Sequence, residues 1–326
     1  MQDTIAKLLG EKRGILAADA RMKGMGKRLE AVGVEPTPEN ALKFRSILFS
    51  APGINEYIGG VIINDDTSRL MIEGAPVPEY IEEKGMYPII KVDEGTEPFG
   101  QSEEVVTKGL EGLPERLKEY YGMGIVFSKW RGVITISDIY PTDAFLEENL
   151  GRMVSYAKMS QAAGIVPIVE PEVLLDGNHT TARCEQVETK VLKKLFEKLN
   201  AQGVDIKNLI LKTSMVMPGK DSGVKAEPLE VANATIRTLK NSVPSEVTAI
   251  VFLSGGQSPD EATLNLNGIA KIKGDVPWLT SFSYERALQG EAITAWAGKD
   301  ENAPLAQKIF VERARKVSLA RQGLLQ

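Results

Sequence analysis

An α/β fold, a single (β/α)8 barrel with helices flanking it at the N- and C-terminal ends of the chain, is the architecture this sequence predicts, and three observations carry it. Eight short strand-like apolar runs recur along the 326 residues, stretches with helix signatures lie between them, and no linker, internal repeat or low-complexity tract divides the chain. Strands alternating with helical patterns imply βαβ units and a parallel sheet, and eight such units in a chain of this length close into a TIM barrel. Residues 1–326 are therefore expected to form one catalytic domain.

The runs fall at 14–19, 58–65, 87–93, 125–133, 165–172, 209–216, 249–256 and 278–286. Between the fifth and sixth, Val187, Val191, Leu192, Leu195 and Leu199 make an apolar stripe with Lys190, Lys194 and Glu197 outside it, the pattern of a helix packed on a sheet. After the seventh, Ser258-Pro259-Asp260-Glu261 joins an N-cap, a proline at the first helical position and an acid three residues on, which predicts a capping box. Residues 1–13 and about 300–326 read as the amphipathic flanking helices.

Composition removes several classes of function. A net charge of -5 and a pI near 5.3 give no global basic excess, so nucleic acid is not an expected partner, although a local cationic pocket for phosphate remains open. No signal peptide begins at Met1 and no apolar run approaches about 18 residues, so a cytoplasmic protein without a membrane partner is expected. The single Cys184 excludes an internal disulfide. One histidine, His179, cannot build a zinc site of two or three imidazoles, so no metal is expected, and its turn-like setting Asp176-Gly177-Asn178 reads as a solvated loop. Acid-base chemistry then falls to carboxylates and lysines.

Those groups lie where a barrel enzyme needs them. Lys212 stands inside the apolar run Leu209-Ile210-Leu211-Lys212-Thr213, where an ammonium must be paired or face a polar cavity; a desolvated lysine also attacks carbonyls to form a Schiff base. The carboxyl ends of the other runs carry Asp19, Lys91 with Asp93, Lys129 with Arg131, Glu170 with Glu172, Ser254 and Arg286. Residues i and i+2 share a strand face, so each pair is expected to project into one lumen. Burying so many charges is costly without a function. The Ser254-Gly255-Gly256 turn into a capped helix offers free backbone N–H groups for an anion, and Arg286 is expected to face it from the end of the eighth strand.

Taken in one register, Gly14-Ile15-Leu16-Ala17-Ala18-Asp19, Ile90-Lys91-Val92-Asp93, Ser128-Lys129-Trp130-Arg131, Ile165-Val166-Pro167-Ile168-Val169-Glu170-Pro171-Glu172, Phe252-Leu253-Ser254-Gly255-Gly256-Gln257-Ser258 and Phe282-Ser283-Tyr284 with Arg286 resemble class I fructose-bisphosphate aldolase over nearly the whole chain. The resemblance implies cleavage of fructose 1,6-bisphosphate to dihydroxyacetone phosphate and glyceraldehyde 3-phosphate, with no cofactor and commonly in a homotetramer. By position it implies that Lys212 is the Schiff-base lysine, Glu170 the acid-base group and Asp19 the group at the C4 hydroxyl. It sets Lys129 to orient Asp19 and Glu172 beside the amine. It gives Ser254, Gly255 and Arg286 to the 1-phosphate, and Lys91, Arg131 and Arg28 to the other phosphate.

The chain departs from that pattern in three places. Arg21 and Gly24 replace two serines of the family, leaving the 6-phosphate contacts to Arg21 or Lys23, and Glu285 replaces the glycine before Arg286, so its carboxylate must turn away from the phosphate. No tyrosine follows Tyr284 to match the terminal tyrosine of animal relatives, so a barrel carboxylate or water is expected to protonate C3. Preference among fructose 1,6-bisphosphate, fructose 1-phosphate and sedoheptulose 1,7-bisphosphate stays open. The rival readings are another Schiff-base sugar-phosphate lyase, transaldolase-like or deoxyribose-phosphate aldolase-like, and a non-catalytic scaffold on the same barrel.

Overall fold

A computed structural model describes residues 1–326. Its eight main strands are β1 (Gly14–Ala17), β2 (Ile58–Asn64), β3 (Tyr87–Lys91), β4 (Phe127–Ile134), β5 (Val166–Val173), β6 (Ile210–Thr213), β7 (Ala249–Phe252) and β8 (Leu279–Tyr284). All pair in parallel and in chain order, and β8 closes on β1 through Ile15 opposite Ser283. Every residue of β2, β5, β6 and β7 is buried, as expected for strands covered on both faces.

Six of the strands end before their apolar runs do, whereas β4 and β5 run one residue past theirs. The sixth run continues through Met215 and Val216, which are buried, yet β6 stops at Thr213. Asp19, Asp93, Ser254 and Arg286 consequently lie past the strand ends, and Arg286 is the first residue of the helix Arg286–Trp296. The helix Thr181–Ala201 buries the predicted stripe, and Ser258 and Glu261 form the predicted capping box on Pro259–Ile272. Two short ribbons, Met71–Ile72 with Ala75–Pro76 and Thr96–Pro98 with Val105–Thr107, are additions to the predicted order. No helix is long and apolar enough to cross a membrane.

The two flanking helices do more than flank. Ile5, Leu8 and Leu9 of the helix Gln2–Leu9 join Ile15, Ile62, Ile89, Phe127, Ile168, Ile210 and Val251 in an apolar cluster that fills the lower lumen. The approach is so close that a Cβ on Gly59 would sit 1.7 Å from the Leu8 carbonyl oxygen. At the other end of the chain, Arg321 of the helix Ala303–Arg321 donates to the carbonyls of Leu9, Gly10, Arg13 and Thr280, which fastens this floor in place. With the amino ends of the strands sealed by packed apolar atoms, the lumen opens only at their carboxyl ends.

His179 corrects an expectation: it is only 7% exposed, and neither ring nitrogen has a hydrogen-bond partner. The segment after Met217 lies over its loop, with Gly219 N donating to His179 O and Asp221 N to Gly177 O. Burial and the nearby Arg183 cation lower the pKa of the ring.

Candidate active site

Alternation along β4 and β5 sets the charged pairs. Trp130 turns outward to stack on Tyr156, so Lys129 and Arg131 turn inward, and β5 pairs in a register that sets Arg131 opposite Glu170 and Val133 opposite Glu172. Lys91 of β3 lies opposite Lys129, and Lys212 comes from β6 two strands further round. All five of Asp19, Lys129, Glu170, Glu172 and Lys212 are buried, and all line one cavity of about 300 Å³ at the open end of the barrel. Ser254, Gly255, Arg286, Lys91, Arg131 and Arg28 line it too, whereas Asp93 and Lys23 do not.

Within it the ions form a chain. Lys212 Nζ lies 2.9 Å from Glu170 Oε1, Lys129 Nζ lies 3.0 Å from Glu170 Oε2, and the same Lys129 Nζ lies 2.8 Å from Asp19 Oδ2. The Lys129 contact to Glu170 is ionic without hydrogen-bond alignment, which leaves Oε2 a buried acceptor in need of a proton donor. Alongside, Arg131 Nε donates to Glu172 Oε2.

This arrangement fixes the protonation of most of its members. Burial pushes the Asp19 carboxyl up, but the cations of Lys129, Lys212 and Lys91 outweigh it and hold Asp19 well below the usual carboxylate range. Glu170 is likewise pushed up by burial and brought lower on balance by Lys129, Lys212 and Arg131, so it is ionised. Burial works against the Lys129 ammonium, while Asp19, Glu170 and Asp93 raise its pKa on balance, so it stays charged. Lys91 goes the other way: burial lowers it, and Asp93 offsets only part of that.

The pair Lys91 and Asp93 does not project side by side as i and i+2 on a strand. Asp93 lies beyond β3, and Lys91 Nζ turns back to its carbonyl at 3.1 Å and its carboxylate at 2.5 Å. Asp93 faces a neighbouring cleft with Asp65, Asp66, Glu94 and Arg116.

A model of the family "Fructose-bisphosphate aldolase class-I" matches residues 1–326, the entire chain. The chain belongs to that family. It is 44% identical over 326 residues to fructose-bisphosphate aldolase B of Gallus gallus, covering 99% of this chain and 90% of the relative. To fructose-bisphosphate aldolase 4, cytosolic, of Arabidopsis thaliana it is 43% identical, covering 95% and 80%. To the probable fructose-bisphosphate aldolase class 1 of Xanthomonas campestris it is 40% identical, covering 99% and 97%. The fold superposes on fructose-bisphosphate aldolase of Plasmodium falciparum with a TM-score of 0.97 at 39% identity, covering 100% of this chain and 94% of that one. Its activity is that of a class I fructose-bisphosphate aldolase, a lyase, and the transaldolase-like, deoxyribose-phosphate aldolase-like and scaffold readings are set aside.

The cavity has further lining beyond the eleven residues to which the resemblance gives a role. Arg21, Ser283 and Glu285 line the cavity. Three polar side chains hold the turn that carries Asp19: Arg45 donates to the carbonyls of Ala18 at 3.2 Å and Ala20 at 2.7 Å, Asn64 to Ala20, and Gln289 to Ala17. Arg45 and Gln289 lie inside helical stretches whose amphipathic pattern gives no reason to bury them; a lone arginine at 5% exposure is the signal that structure adds. Lys23 is exposed and does not reach the cavity, so of the two substitutes for the family's serines Arg21 is the one present.

Proposed function

We propose that this cavity performs the cleavage through a Schiff base on Lys212, and the observation that carries the reading is the ion chain from Lys212 through Glu170 and Lys129 to Asp19. The amine of Lys212 attacks the ketone carbon C2 of fructose 1,6-bisphosphate. Glu170, 2.9 Å from that nitrogen, accepts a proton from it and returns one to the departing C2 hydroxyl, which leaves as water. The protonated imine is an electron sink. Asp19 then removes the C4 hydroxyl proton, the C3–C4 bond breaks, its electron pair moves into the imine to give an enamine, and glyceraldehyde 3-phosphate departs. Protonation at C3 and hydrolysis release dihydroxyacetone phosphate and restore the lysine.

Lys129, 2.8 Å from Asp19 Oδ2, holds Asp19 as an anion. Ser254, Gly255 and Arg286 receive the 1-phosphate, with Gly255 at φ +39° turning the backbone where a side chain would meet Leu253. Lys91, Arg131 and Arg28 serve the other phosphate end, and Arg21 joins them from the turn after β1. Borohydride with substrate tests the reading: reduction should fix the three-carbon adduct on Lys212, and label on Lys129 instead would overturn it. EDTA should leave the rate unchanged. The same reading takes the enzyme as cytoplasmic, supported by the cytosolic Arabidopsis relative, and as a homo-oligomer, a tetramer by resemblance, which sedimentation at micromolar concentration checks.

A further inference from the structure

The mouth of the cavity holds an acid that the reaction above does not use. Glu285 precedes the helix Arg286–Trp296 at its N-cap position, where a carboxylate ordinarily accepts from the first backbone N–H groups, yet it makes no side-chain cap. Its carboxylate instead reaches across the opening to Arg28 of the helix Met22–Glu30, with Nη2 to Oε1 at 2.7 Å. Both side chains line the cavity.

The other cations there are already committed or free. Lys129 and Lys212 are held by Asp19 and Glu170, Arg131 by Glu172 and Lys91 by Asp93, each pair containing a carboxylate at most 11% exposed. Arg21 donates only to the carbonyls of Asp93 and Glu94, and Arg286 makes no ion pair. Arg28 with Glu285 is the remaining pair, and at 24% and 32% exposure it is the most open on its carboxylate side. A half-solvated guanidinium–carboxylate pair is weak, whereas a phosphate carries up to two charges and three acceptor oxygens, so it displaces the carboxylate.

We propose that Glu285 is a built-in competitor for the phosphate group that Arg28 receives, setting the affinity of the cavity for bisphosphorylated ligands. In the empty cavity the carboxylate occupies the guanidinium. When phosphate takes Arg28, Glu285 is left unpaired beside a dianion, which lowers ligand affinity and speeds release. The inference rests on the reading that the cavity takes a phosphorylated ketose.

A hexitol 1,6-bisphosphate, which has no carbonyl for Lys212, isolates binding from chemistry. Calorimetry on the parent, Glu285→Gln, Arg28→Ala and the double variant forms a cycle. Glu285→Gln should tighten binding about two- to fivefold, the range of a partly exposed charge contact. Arg28→Ala should weaken it, and adding Glu285→Gln to Arg28→Ala should return much less of a gain. No gain in Glu285→Gln overturns the proposal. An undiminished gain in the Arg28→Ala background also overturns it, because the effect would then be general repulsion and not competition for Arg28. If the parent fails to bind the bisphosphate at all, the phosphorylated-ketose reading itself falls, and the proposal with it.

Discussion

Glu188 should make the stability of this aldolase fall with rising pH, and the structure gives the size. The side chain is 1% exposed on the inner face of the helix Thr181–Ala201, with Oε1 unpartnered and Oε2 3.5 Å from the Thr213 hydroxyl next to Lys212. Burial, with a smaller push from the Glu172 carboxylate, raises its pKa from 4.5 to about 8 against the lowering effect of Ser214 and Thr213. The folded protein thus keeps a proton that the unfolded chain releases, so stability declines as pH climbs from 4.5 to about 8 and the full cost is present above that. At about 1.36 kcal/mol per pH unit the whole gap is worth ~5 kcal/mol, of which ~4 kcal/mol develops between pH 5 and pH 9. Glu188→Gln keeps the shape and has no proton to lose. Urea unfolding should show it more stable than the parent by ~4 kcal/mol more at pH 9 than at pH 5. An identical parent-to-variant difference at the two pH values would refute the reasoning.

Three further outcomes follow from the site and its floor. Glu170→Gln should slow imine formation by about 10²–10⁴ in single-turnover measurements, and an unchanged rate would transfer the acid-base role to Glu172. Arg286→Ala, removing a free guanidinium, should weaken binding of the 1-phosphate end by about 1.5–3 kcal/mol, read from Michaelis constants with fructose 1-phosphate. Leu8→Ala, which opens a cavity in the apolar floor below the site, should cost about 2–5 kcal/mol of stability by denaturant unfolding, and a loss below about 1 kcal/mol would mean that the N-terminal helix only rests against the barrel.

The barrel is legible in the sequence because parallel strands buried on both faces must be apolar along their length, and nothing else in the chain has that texture. The strand ends are not, because an apolar run reports burial and not pairing: Met215, Val216 and Leu253 are buried without belonging to a strand. Lys129 with Arg131 and Glu170 with Glu172 obey strand alternation because β4 and β5 extend past them, whereas Lys91 with Asp93 breaks it where β3 ends. His179 has the composition of a solvated turn, and only the segment 217–221 folding over it makes it interior. Glu188 sits beside Val187 at the margin of a plain amphipathic stripe, so its burial depends on how the helix rolls against β6. The turn that aims Asp19 is held by Arg45, Asn64 and Gln289, which are 25 to 272 residues away along the chain in their bonds to it, a span no local pattern encodes.

The sealed base of the barrel also has a consequence for the order in which the protein is made. The first helix leaves the ribosome before anything it packs against, and the Arg321 clamp on Leu9 joins residues 312 apart. Ile5, Leu8 and Leu9 therefore lack part of their apolar cluster, whose members run from Ile15 of β1 to Val251 of β7, until β7 has been synthesised. During that interval the nascent chain presents a sticky helix, and ribosome-bound chains halted before residue 249 should be the ones that chaperones hold and proteases cut near Ile5, Leu8 and Leu9.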